Sequence, residues 1–148
     1  MAGTPVALSR GCVFRAEHDS SYDFWNSPDP RWKLCLAFNV TPPTEADDVH
    51  YFIATSQLNY FRENPHLLSD VLILPRNEYI FFPEETAIDF RDLRVVPWPK
   101  LQSKGLRILG RLSDEDIRRC ESIIRAARLL PNRDRRRLGL LGQANSPD

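Results

Sequence analysis

The chain has 148 residues, 42% of them hydrophobic and 27% charged, enough for one domain around a real core and too few for two comfortable ones. This balance excludes global disorder, and no apolar run approaches the ~18 to 20 residues of a membrane-spanning helix. The formal net charge is zero but divided: 8 Lys and Arg face 14 Asp and Glu up to Pro99, against 12 and 6 from Lys100 onward. An anionic partner would be drawn first to that basic half, unless the two halves attract each other or the excess is a solvated helix face.

Residues 1–10 read as a loose lead-in, without the basic start and long apolar stretch of a secretory signal. "GCVFR", residues 11–15, puts Cys12 and Phe14 on one side of a first strand. The loop "AEHDSSYDFWNSPDP" is polar yet carries Tyr22, Phe24 and Trp25, which either pack down as a lid or are presented to a ligand. "RWKLCLAFN", residues 31–39, is the clearest strand, with Leu34, Leu36 and Phe38 on one face and Lys33, Cys35 and Ala37 on the other. After the turn chemistry of "TPPTEADD", a strand over 49–55 runs into three polar residues, Thr55, Ser56 and Gln57.

"NYFRENPHLLSD" predicts a short helical turn, with Asn64 capping and Pro65 at its first position. "VLILP", "EYIFFP", "TAIDF" and "LRVVPW" read as four further strands, Pro97 marking an edge or a strand end. From Ser113 the period changes: Ile117, Cys120, Ile124 and Ala127 recur at helical steps. Ser113 is suited to cap this helix, Asp114, Glu115 and Asp116 favour its first turn, and Pro131 stops it, so the spacing predicts a helix from about 114 to 130. Residues 132–148 have little to bury and are expected to be a basic flexible tail. The division is thus a lead-in over 1–10, a domain over 11–131 and a tail over 132–148. The fold class is mainly β, a small, strongly bent antiparallel barrel with a C-terminal α-helix.

His18, His50 and His66 are scattered, and Cys12, Cys35 and Cys120 are too widely spaced for a zinc site. Free, mostly buried thiols in a reducing cytosol are expected, with no metal and no cofactor; the six glycines form no phosphate loop. A Cys–His nucleophile pair, such as Cys12 with His18, has no local support. Arg31 and Lys33 lie two apart in a strand and could grip a phosphate together. Thr55 and Ser56 offer hydroxyls to a phosphate or ribose oxygen, or else cap the following turn. Asp89 and Arg91, also two apart, set a carboxylate beside a guanidinium, either for proton transfer and charge stabilisation on a phosphodiester or as an ordinary same-face ion pair.

The order of the pieces "GCVFR", "RWKLCLAFN", "FIATSQ", "ETAIDFRDLRVV" and "GRLSDEDI" resembles the PemK/MazF-like toxins of type II toxin–antitoxin systems, over roughly residues 11 to 130. The resemblance implies an SH3-like barrel, usually a cytoplasmic homodimer neutralised by an antitoxin protein. It also implies metal-independent cleavage of single-stranded RNA, in which the ribose 2′-hydroxyl attacks its own phosphate. Carried over, Arg31, Thr55, Asp89 and Arg91 would be catalytic. Lys33, Ser56, Gln57 and Trp25 would hold substrate, with Tyr22 and Phe24 adding stacking. The chain departs from the family where "PRWKL" replaces an Arg-Pro entry to the second strand, and where Asp89-Phe90-Arg91 reverses the usual Arg-x-Asp. Two alternatives stand beside the enzyme. One is a non-catalytic barrel binding nucleic acid or protein through its basic helix and tail. The other is a structural partner docking through the aromatic loop.

Overall fold

The computed structural model describes residues 7–18 and 31–141, with backbone alone at 17, 18 and 31–33. Six strands form one antiparallel sheet: β1 (Cys12–His18), β2 (Arg31–Ala37), β3 (Asp48–Thr55), β4 (Val71–Leu74), β5 (Thr86–Pro97) and β6 (Arg107–Arg111). Their order is β4-β5-β3-β2-β1-β6, and the sheet curls into a half-barrel. The mainly β fold with a C-terminal helix is therefore present, with β4 and β6 as the two edges rather than a closing seam.

Strand alternation gives the sheet two buried faces. On one, Val13, Leu36, Phe52, Ile88 and Phe90 pack under the C-terminal helices. On the other, Phe14, Cys35, Tyr51, Ile53 and Val96 pack with Leu101 of a short helix α2 (Trp98–Gln102). β2 shows the period plainly, sending Leu36 to the first core and Cys35 and Ala37 to the second. A third cluster, Leu58, Phe61, Leu67 and Val71, lies under a helix α1 (Asn59–Glu63) and a 3-10 helix (Pro65–Asp70). The pieces read as "TAIDF" and "LRVVPW" are one strand, β5, with an irregularity in its middle. Tyr51 pairs with Arg94 and Ile53 with Asp89, so Phe52 alone stands opposite residues 90–93. Such a bulge bends its strand and turns side chains out of the regular pleat.

"EYIFFP" is not a strand. Asn77 adopts a left-handed φ of 64°, Tyr79 bridges Phe82, and Ile80 sits at the tip, 95% exposed. Phe81 lies against β6 where Gly110 leaves room; a Cβ there would come within 2.6 Å of the ring. β6 and α2 had no clear sequence signal, being short and rich in charge, glycine or proline.

The terminal helix α3 (Asp114–Ala126) starts as predicted, Ser113 Oγ accepting the Asp116 N–H at 3.1 Å. It ends earlier than Leu130, because the buried Asp70 carboxylate accepts the N–H groups of Arg128 and Leu129, each at 3.0 Å. The expected flexible tail is instead packed through residue 140. Asn132–Arg137 form a helix α4, and Leu138 and Leu140 enter the main core. Arg135 turns inward rather than to solvent, donating to the carbonyls of Ile124, Ala127 and Leu130 and thus capping α3. Residues 142–148 lie outside the described residues.

Candidate functional site

The end of β3, helix α1 and the bulge of β5 enclose an open pocket of about 710 Å³, within the usual range for a small-ligand site. Thr55 and Gln57 form its β3 wall, with Ile53 and Ala54 below them. Thr55 is half-buried, and its hydroxyl accepts the Gln57 N–H at 3.0 Å, so it caps the turn while bordering the cavity.

The opposite wall comes from the bulge. Asp89 Oδ1 accepts both the backbone N–H of Arg91 at 3.0 Å and its Nε at 2.8 Å, while Oδ2 accepts Nη2 at 2.7 Å. Asp89 thus replaces the ladder partner that the bulge removes and also locks the guanidinium in a bidentate fork. The two side chains are 21% and 23% exposed. The fork from Asp89 raises the Arg91 pKa further above its ordinary value, against the opposing effect of burial. Arg91 is consequently a permanent cation here, fit to hold an anion and unfit to donate a proton. Asp89 engages two of the five N–H donors of the guanidinium. Asp92 and Arg94 add a second, looser pair at 3.4 Å. With two arginines and two aspartates, the charges of the wall cancel.

The remaining wall is apolar and aromatic. Tyr60, Phe61 and Leu129 line it, and the Arg91 guanidinium stands 5.5 Å from each of the two ring centroids.

Among the residues singled out by sequence, the fold brings Thr55, Gln57, Asp89 and Arg91 to this one pocket. Ser56 is exposed beside it and forms no part of its wall. Arg31 and Lys33 are placed by backbone register only, opposite His18 and Ala16 of β1. Because Leu34 pairs with Ala54, Lys33 comes at the end of β2 adjoining the Thr55 end of β3. Trp25, with Tyr22 and Phe24, lies outside the described residues. Sequence reasoning missed Tyr60, Asp92, Arg94 and Leu129. A signal existed for Tyr60, since a short helix that buries Phe61 turns its neighbour outward. Leu129 offered none, as it reaches the pocket through the distant Asp70.

Cys12, Cys35 and Cys120 are buried and form no disulfide, and burial pushes the Cys120 thiol far above its ordinary pKa. Among the described residues, no group of three or more His, Cys, Asp or Glu is placed to hold one metal ion. Among the same residues, no helix is long and apolar enough to cross a membrane. No family model matches the chain, and no curated protein matches it either.

Proposed function

We propose that the pocket binds single-stranded RNA and cleaves it without a metal, the ribose 2′-hydroxyl attacking the adjacent phosphate. One observation carries this reading: Thr55, Gln57, Asp89 and Arg91, chosen from the sequence for phosphodiester chemistry, line one open pocket although they come from two strands and a loop. In this reading Arg91 neutralises the phosphate and the charge that develops on it. Thr55 and Gln57 hold its oxygens, and Asp89 keeps the guanidinium aimed. The rest of the reading follows from the resemblance: a cytoplasmic toxin, working as a homodimer, restrained by an antitoxin protein.

A specific feature favours a second reading, a binding module without turnover. Both Asp89 oxygens are engaged by Arg91, which weakens this carboxylate as a general base. The nucleic-acid surface would then be the pocket and its rim. Arg135 cannot contribute to it, since its guanidinium caps α3.

The deciding experiment incubates long single-stranded RNA with the protein in excess chelator. Fragments with cyclic phosphate and 5′-hydroxyl ends, lost in Arg91→Ala, support the enzyme. Intact RNA at every neutral or mildly alkaline pH ends that reading, and salt-sensitive retention of the uncut strand would leave the binding module.

A further inference from the structure

Tyr60 is 54% exposed on the wall of a pocket, an unusual place to leave a large ring uncovered. Its position is nevertheless well defined. The ring meets the buried Phe61 edge-on at 5.5 Å and 75°, and the Arg91 guanidinium stands 5.5 Å from its centroid. The guanidinium is itself fixed by the two bonds to Asp89. The planar cation is therefore held over the aromatic ring, and both line the open cavity before any ligand arrives.

We infer that Tyr60 is the stacking surface for one base of a single-stranded RNA, with Arg91 beside it receiving the phosphate of the same nucleotide. The inference rests on the RNA reading of the pocket and adds a residue and a role that the sequence did not indicate. The chemistry fits both halves of a nucleotide: a base supplies a flat π-face for the ring, and its diester supplies a single negative charge for the guanidinium. The pocket carries two carboxylates beside its two arginines, which suits the one charge of an internal diester better than the two of a terminal phosphate. Because every base has a π-face, this subsite tolerates any base. Asp89 acts through Arg91 and is a positioning residue.

The test uses single-stranded oligonucleotides with 2′-deoxyribose, which lack the attacking hydroxyl, and an abasic strand of equal length and charge. Affinity is measured for the wild type, Tyr60→Ala and Tyr60→Phe, with RNA binding and cleavage run in parallel. Stacking predicts that Tyr60→Ala weakens binding of the base-bearing strand by roughly tenfold. Tyr60→Phe should stay near wild type, and the abasic strand should bind all three proteins alike. Equal affinity of Tyr60→Ala and wild type for the base-bearing strand overturns the role of Tyr60 and leaves the RNA reading standing. An equal loss on the abasic strand also overturns stacking, since the ring would then serve the backbone. A wild type that neither binds nor cuts any strand, RNA included, overturns the reading of the pocket and the inference together.

Discussion

Polar side chains gather in two regions of this molecule, and they are used differently. Behind the sheet, around α3, they are tied to backbone groups and to one another. Asp70 takes two N–H groups, Arg135 takes three carbonyls, and Tyr79 receives the Ser113 N–H at 2.9 Å while donating to Asp116 at 2.6 Å. In front, at the β5 bulge, Asp89 and Arg91 hold each other at the wall of an open cavity, with guanidinium donors to spare. A charged group whose valences are filled by the main chain is part of the architecture. One that faces a cavity with capacity left is available to a ligand.

Substitutions should separate the two regions. Among the single substitutions, the largest loss of stability is expected from Asp70→Ala, which removes the charged acceptor of two part-buried N–H groups and should cost about 3 kcal/mol in chemical denaturation. A cost near zero would mean that the end of α3 needs no outside cap. Next comes Arg135→Met, which keeps the stem and removes the bonds to the carbonyls of Ile124, Ala127 and Leu130, costing about 2 kcal/mol. Removing residues 132–148 should cost more than that single change, because Leu138 and Leu140 leave the core with them; it is thus no clean probe of a nucleic-acid tail.

Arg91→Ala should behave in the opposite way. Its ion pair borders the open cavity, so stability should fall by no more than about 1 to 2 kcal/mol, while the proposed RNA cleavage should drop by about a hundredfold or more. Unchanged cleavage would place the chemistry elsewhere. The smallest effect concerns His50, whose pKa is lowered from 6.5, first by burial and then by Arg137. The unfolded chain takes up the proton more readily than the folded one. Stability from this group is therefore complete above about 6.5 and declines as pH falls below that value toward the folded pKa. Denaturation midpoints measured from neutral to mildly acidic pH should show a shallower decline in His50→Gln.

What the sequence revealed depended on whether the deciding contact was local. The alternation of β2 and the Ser113 cap with its Ile117-Cys120-Ile124 stripe depend on neighbours within a turn or a pleat, and each matches the structure. The end of α3 depends on Asp70, 58 and 59 residues from the groups it binds, and nothing in "ARLLP" announces that. Arg135 read as tail because three arginines in a row suggest solvent, whereas the carbonyls of α3 need a donor. The aromatic and β-branched run at 79–82 suits a strand by propensity, yet it closes into a tight turn between Tyr79 and Phe82, just after the left-handed Asn77. In the pocket, Asp89 and Arg91 were legible from their two-residue spacing. The bulge that brings Asp92 and Arg94 to the same cavity was legible only as a false gap between two strands.

That bulge has a consequence for how this protein tolerates change. The ladder through Asp89 and the ladder through Arg94 are each pinned by their own partners on β3. Residues added or lost between them would not reverse which side chains point into either core. With Phe90 kept in the main core, changes at residues 91 and 92 can therefore alter what the cavity accepts while the scaffold around it keeps its threading.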